Sequence, residues 1–244
     1  PLKLMNYFLK SYGNDLAPLY PVLPTTNDSI KATNTSTLRY SVRANGDKGY
    51  LFMHNFQDHL ETKDLQDLKV DIATNSGKIS FPQTGTFTLK AGSSAIFPFN
   101  VNYDGIEINL ATVQPFCRFT NNNKKYNVLL SVDGISPEIV LKGKQKVSGT
   151  GIKTLTRNGN TVIVCTAEKT NTFQINGVSF LVLPTSEAEK GYLIGEVDNQ
   201  KLVVSDALVL DNAGKIILIS NNQEQINFYT YPAALLHKEP PLPA

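Results

Sequence analysis

The chain has 244 residues with 41% hydrophobic content, enough to bury a sizeable core, and ordinary domain sizes predict one large or two small domains. Lys and Arg number 23 against 21 Asp and Glu, and a formal charge of +2 supplies no field for gathering polyanions, so no nucleic-acid partner is expected. No run of about eighteen apolar residues occurs, so no membrane span is expected either, and the lack of Trp leaves ten Tyr and twelve Phe as the weaker stacking surfaces for a sugar.

The sequence starts at Pro1 with no basic region leading into an apolar one, which reads as a segment of a longer protein whose address lies elsewhere. Leu2, Met5, Phe8, Leu9, Tyr12 and Leu16 then recur at three- and four-residue spacing, predicting a short amphipathic helix that Pro18 stops. Its stripe packs either on the sheet beside it or against an upstream domain. Prolines 18, 21 and 24 make residues 17–24 a stiff linker without regular structure, so residues 1–24 are expected to be the helix and exit of an upstream domain.

From Thr37 the period becomes two. Leu38, Tyr40 and Val42 alternate with polar residues, Asn45-Gly46-Asp47-Lys48-Gly49 turns, and residues 50–55 return, which predicts a hairpin. Short strands are expected over 68–72, 86–90, 106–113, 115–120 and 126–132, the last two joined by a polar tip at 121–125. That spacing predicts an antiparallel β-sandwich or barrel over residues 25–145.

The stretch KGKQKVSGTG, between Leu141 and Ile152, offers little to bury and reads as an exposed joint. Beyond it, Asn158-Gly159 and Asn176-Gly177 mark two more hairpins, and strands over 192–197, 201–205, 207–210, 215–220 and 225–231 complete a second, smaller β-sandwich over 152–233. Residues 234–244 form an extended, Pro-rich tail. The fold class is therefore all-β: two antiparallel β-sandwich or barrel-like modules preceded by one short amphipathic helix. Cys117 and Cys165 fall on either side of the joint and read as buried free thiols.

Chemistry is sparse. Glycoside hydrolysis needs two carboxylates held about 5–9 Å apart, and the close-spaced acids here, Asp64 with Asp67 and Glu187 with Glu189, lie in polar stretches that read as solvated surface. No Gly-rich phosphate loop and no G-x-S-x-G elbow appears. The dense polar cluster runs from His54 to Glu61. If the strand continued through it, His54 and Asp58 would share one face while Asn55, Gln57, His59 and Glu61 shared the other, and the split opposes a metal site. The alternatives are a plain strand end entering a loop and a docking or sugar-facing loop. No metal and no cofactor is expected. Asn27-Asp28-Ser29 and Asn34-Thr35-Ser36 match the glycosylation acceptor pattern, which is common by chance.

Several stretches look familiar. Thr37-Leu38-Arg39-Tyr40-Ser41-Val42-Arg43, then Asn45-Gly46, Gly49-Tyr50-Leu51-Phe52 and Asn55-Phe56-Gln57 resemble a T-L-R-x-x-V-R, N-G, G-[FY]-x-F, N-[YF]-Q run. That run follows the catalytic barrel in bacterial family thirty-five glycoside hydrolases, the β-galactosidase family. Phe97-Pro98-Phe99-Asn100 resembles the W-P-F-N strand of that region, and Ala111-Thr112, Gln114-Pro115 and Cys117-Arg118 resemble its A-T-x-Q-P-x-C-R segment. Phe8-Leu9 through Gly13 to Leu16-Ala17-Pro18, with Val22-Leu23-Pro24, resembles the last barrel helix and its exit. The resemblance covers about residues 4–140 and does not extend past Lys142.

It implies a non-catalytic region that braces the barrel of the same polypeptide and shapes its substrate cleft. The expected parent releases terminal β-galactose in a secreted or periplasmic setting, with β-galactoside glycans as a further partner. The catalytic glutamates of that family lie on barrel strands, so no catalytic residue carries over to this chain. Tyr50, Asn55, Gln57 and His59 are the candidates for the carbohydrate- or barrel-facing surface. Two other readings stay open: an autonomous carbohydrate-binding module, which needs Tyr or Phe rings flanked by Asn, Gln or Asp, and a cell-surface adhesive sandwich.

Overall fold

The computed structural model describes residues 2–212, 215–220 and 225–233. Helix α1 (Leu2–Leu16) is followed by β1 (Tyr20–Val22), β2 (Arg39–Asn45), β3 (Lys48–His54), β4 (Leu65–Leu68), β5 (Val70–Thr74), β6 (Gly77–Phe81) and β7 (Phe87–Leu89). Then come β8 (Ser94–Tyr103), β9 (Ile106–Ala111), β10 (Val113–Asn121), β11 (Lys124–Ser131), β12 (Glu138–Leu141), β13 (Val147–Thr150), β14 (Ile152–Arg157) and β15 (Asn160–Cys165). The chain continues with β16 (Asn171–Ile175), β17 (Val178–Pro184), the short helix α2 (Thr185–Ala188), β18 (Gly191–Ile194), β19 (Lys201–Ser205), β20 (Leu208–Asn212), β21 (Lys215–Ile219) and β22 (Phe228–Tyr231). Strands take 54% of the described residues and helix 10%, so the fold is all-β as the period-two pattern predicts. Among the described residues no helix is long and apolar enough to cross a membrane.

Two sheets carry the larger unit, residues 2–118 with 124–189. One has eight strands in the order β1-β2-β3-β8-β9-β12-β15-β14, and the other five in the order β10-β11-β17-β16-β13. Two hairpin turns are those the sequence announces: Asn158 and Gly159 lie at φ 51° and 78°, and Asn176 and Gly177 at 48° and 83°, the left-handed pair that a two-residue hairpin requires. Between the sheets, Tyr50, Val101, Ile108 and Ile163 from the first meet Leu129, Phe173, Phe180 and Val182 from the second in one core that also takes in Phe8 and Tyr12 of α1. Cross-strand partners Phe173 and Phe180 stack at 5.4 Å, and Phe81 stacks on Phe97 at 6.1 Å. Each such ring withdrawn from water contributes about 1.5–3 kcal/mol.

The pairings along the eight-stranded sheet are antiparallel. The β11–β17 pair is parallel, from Tyr126 opposite Ser179 to Ser131 opposite Pro184. This departs from an antiparallel expectation because the chain between them visits the other sheet as β12, β14 and β15 before it returns.

The expected division at residues 145–152 is corrected. β12, β14 and β15 extend the sheet begun by β2 and β3, while β13, β16 and β17 complete the other sheet, so the Gly- and Lys-rich stretch joins strands of one sandwich. Gly149 sits where a Cβ would collide with the Thr172 carbonyl and Phe173, so that glycine serves close strand approach and not a flexible joint. The second compact unit consists of residues 119–123 with the described residues from 190 onward. Its sheets are β18-β19-β22 and the β20-β21 hairpin. The tip 119–123 is held by a bridge between Asn121 and Asn199, by the Gln200 amide donating to the Thr120 carbonyl at 3.0 Å, and by the Asn122 amide donating to the Asp198 carbonyl at 3.1 Å. The expected tail over 234–244 lies outside the described residues.

Residues 1–24 are corrected as well. Phe8, Tyr12 and Leu16 bury in the chain's own core, so α1 belongs to this unit. The expected linker contains β1, which pairs with β2 through Tyr20–Ala44 and Val22–Val42; Pro21 is tolerated because β1 is the edge strand. Cys117 and Cys165 are both free and buried.

Candidate functional site

Helix α1 carries one apolar stripe that is only partly covered. Phe8, Tyr12 and Leu16, four residues apart, point inward, while Leu2, Met5 and Leu9 lie along the flank of the same stripe and are 79%, 45% and 49% exposed. The side turned away from the stripe carries the exposed polar residues Asn6, Lys10 and Asn14. Lone exposed apolar residues need no explanation, but this flank continues into more of them: Tyr20, Val22 and Leu23 are exposed on and after β1. Met5 and Leu23 also line an open groove of about 410 Å³, with Tyr40, Phe52 and Ile96 of the eight-stranded sheet on its other side. Arg39 and His54 supply polar atoms at that groove. Arg39 is held there by donating to the Lys31 and Asn34 carbonyls at 2.9 and 3.0 Å.

Beneath the helix lies a tyrosine cluster that the sequence pattern did not pick out. The Tyr12 and Tyr103 rings are 5.3 Å apart, Phe8 meets Tyr50 edge-on at 6.4 Å, and the Tyr103 hydroxyl donates to the Tyr50 hydroxyl at 3.3 Å. The Arg118 guanidinium sits 4.9 Å from the Tyr12 ring centre and pairs with Asp15 at 3.1 Å, while its backbone amide donates to Ser11 Oγ. Together these contacts fix α1 on the sandwich. Burial pushes the Tyr12 and Tyr103 phenols well above their ordinary range and raises Tyr50 from 10.0 to about 12. Burial likewise raises the Cys117 and Cys165 thiols, which leaves both unreactive at neutral pH.

The residues expected to face a partner divide. Tyr50 is buried at 2% exposure, because Gly49-Tyr50 opens β3 opposite Phe99 and Pro98 of β8, where both faces of the strand are covered. Asn55 is also buried, and it acts as a pin for the loop that follows. Its Nδ2 donates to the Lys63 and Leu89 carbonyls at 2.8 and 3.0 Å, its amide donates to the Ser93 carbonyl, and its own carbonyl accepts from Gly92 and Thr62. Neither is a surface contact, which corrects that assignment. Gln57 is half-buried beside Asn34 and Arg39. His59 is fully outside, at φ 58°, with Nε2 3.3 Å from an Asp58 carboxylate oxygen.

The strand ends at His54, so the alternating faces assumed for residues 54–61 do not form. His54 Nδ1 instead lies 3.2 Å from the Phe56 carbonyl. The cluster is a loop pinned at its base, and it does not bring Tyr50, Asn55, Gln57 and His59 onto one surface. Among the described residues no group of three or more His, Cys, Asp or Glu side chains gathers as a metal site. Asp64, one of the close-spaced acids, is occupied with Lys90 at 2.7 Å and the Ala91 amide, which hold its carboxyl below the ordinary 3.8.

The groove residues Tyr40, Phe52 and Ile96 were missed because period two assigns each strand a single apolar face. β3 carries apolar residues on both: Leu51 and Met53 are buried and Phe52 is half-buried between them. That continuous run was the available signal. No protein-family model matches the chain, and no curated protein matches it.

Proposed function

We propose that this chain is a non-catalytic accessory region of a β-galactosidase-like glycoside hydrolase, docking through α1 against the catalytic domain of the same secreted or periplasmic polypeptide. The observation that carries the reading is the exposed apolar flank of α1, Leu2, Met5 and Leu9, continued by Tyr20, Val22 and Leu23. Apolar surface of this kind, flanking a stripe whose centre is already buried, marks an interaction site. The identity of the partner is supported by the ordered motifs from Thr37 to Arg118, which resemble the region after the barrel in that enzyme family. The same resemblance assigns catalysis to the barrel and support to this region.

The test is to read the coding sequence upstream of Pro1 and assay the whole polypeptide for release of terminal β-galactose. An eight-stranded α/β barrel carrying two glutamates at strand ends, and activity that falls when Met5 and Leu9 are replaced by Ser, are the expected results. A preceding sequence without such a barrel would overturn the reading.

A further inference from the structure

The inner face of the eight-stranded sheet runs past the margin of α1. Along β3, Tyr50, Phe52 and His54 point to one side, and Tyr50 is the residue that meets Phe8 beneath the helix. Two positions on, Phe52 is only half-buried, in a cross-strand row with Ser41 of β2 and Ile96 of β8. The next row is Arg39, His54 and Ser94. These rows floor the groove of about 410 Å³, whose walls include Met5 of α1, Leu23 and Ile30. The volume falls within the roughly 300–1,000 Å³ that accommodates an organic group, and the floor passes from apolar to cationic within one strand repeat.

Charge at the polar end is one-sided. None of the described residues lining the groove is an Asp or Glu. Arg39 Nη2 donates to the Lys31 and Asn34 carbonyls at 2.9 and 3.0 Å, which fixes the guanidinium, while Nε and Nη1 keep their own donors. The half-buried arginines of the chain are Arg39, Arg118 and Arg157. Arg118 pairs with Asp15 at 3.1 Å and Arg157 with Glu138 at 2.9 Å, whereas no described carboxylate pairs with Arg39. A guanidinium held in place without a counter-ion is one preformed half of a carboxylate pair.

We propose that the partner docked on α1 fills this groove with an apolar segment carrying one acidic side chain, whose carboxylate pairs with Arg39 while its apolar neighbours cover Phe52 and Ile96. Occupancy of this kind rests on the docking reading, because Met5 belongs both to the groove and to the exposed flank of α1. The apolar rows accept many side chains. Arg39 selects the acidic one, by charge complementarity in a partly desolvated setting.

The test uses phenylbutyrate as a probe of the groove, with phenylbutanol and phenylbutylamine as its neutral and cationic counterparts, titrated into the isotope-labelled chain. Saturable resonance shifts at Arg39, Phe52 and Ile96 with a millimolar Kd are expected for phenylbutyrate. The alcohol should bind about tenfold more weakly and the amine more weakly still. Arg39→Gln should abolish the preference for the acid, and Arg39→Lys should keep part of it. The acid-against-alcohol comparison is made on the unaltered chain, so it decides the matter even where Arg39→Gln disturbs the carbonyls that Arg39 holds. A flat titration, equal binding of acid and alcohol, or shifts confined to other residues would each overturn the acidic occupant. In a longer polypeptide carrying the proposed catalytic domain, the filled groove should no longer bind phenylbutyrate. Met5 protected from oxidation there while phenylbutyrate still binds would overturn the occupant and leave the docking intact. Met5 left unprotected would overturn the docking and the occupant with it.

Discussion

Two parts of the apolar stripe of α1 are close in composition and differ in circumstance. Phe8, Tyr12 and Leu16 are buried among the rings of Tyr50 and Tyr103, while Leu2, Met5 and Leu9 on its flank meet solvent. A helix needed only as a cover would have a stripe no wider than the surface it covers. The difference teaches that apolar periodicity reports how many surfaces a helix contacts only when each part of the stripe is followed to its partner.

The comparison breaks most visibly in the buried part. Phe8→Ala removes a ring packed at 5.6 Å against Tyr12 and 6.4 Å against Tyr50, and the expected loss is about 3–5 kcal/mol in urea unfolding. Alkaline pH attacks the same cluster without mutation. A phenol whose folded pKa is raised adds stability that is complete below its unfolded pKa and is lost as pH rises through the folded one. For Tyr50 that window runs from 10.0 to about 12 and corresponds to about 3 kcal/mol, with Tyr12 and Tyr103 shifted in the same direction. Ionisation of Tyr12, Tyr50 and Tyr103, followed by their own ring resonances, should coincide with unfolding over that range, and ionisation of any of these three near pH 10 in a folded chain would contradict the burial.

The loop provides a second, smaller version of the contrast. Asn55→Ala leaves the Lys63 and Leu89 carbonyls without their donor and is expected to cost about 1–3 kcal/mol. His59→Ala, four positions on and fully exposed, should stay within about 0.5 kcal/mol by the same unfolding measurement. On the exposed flank of α1, Met5→Ser and Leu9→Ser should likewise change the stability of the chain alone by no more than about 0.5 kcal/mol. Their effect belongs to the docked state.

Much of the architecture is legible in the sequence because it is written in local chemistry. Gly46 between β2 and β3, and the pairs Asn158-Gly159 and Asn176-Gly177, take the left-handed backbone their turns demand, and each turn delivers the hairpin it announces. Other elements are settled by long-range pairing and carry no local mark. β8 has ten residues, a proline and apolar side chains on both faces, so alternation does not reveal it, although it is a central strand of the larger sheet. β12 and β13 bracket a Gly- and Lys-rich stretch that has the composition of a linker and the position of a crossover. The candidate site fails for a related reason. Tyr50, Asn55, Gln57 and His59 are near neighbours in sequence, but the strand ends at His54, the first two turn inward as ring and pin, Gln57 is half-buried beside Asn34 and Arg39, and His59 alone of the four is exposed.

The chain's two methionines offer the most direct measurement of the central claim, since Met5 is 45% exposed on the flank of the α1 stripe and Met53 is 2% exposed within the sandwich. Peroxide oxidation followed by mass spectrometry reads each thioether separately. In the chain alone, Met5 should oxidise quickly and Met53 slowly. In a longer polypeptide carrying the proposed catalytic domain, the docking account predicts that Met5 becomes as slow as Met53. Met5 oxidising at one rate in both would contradict it.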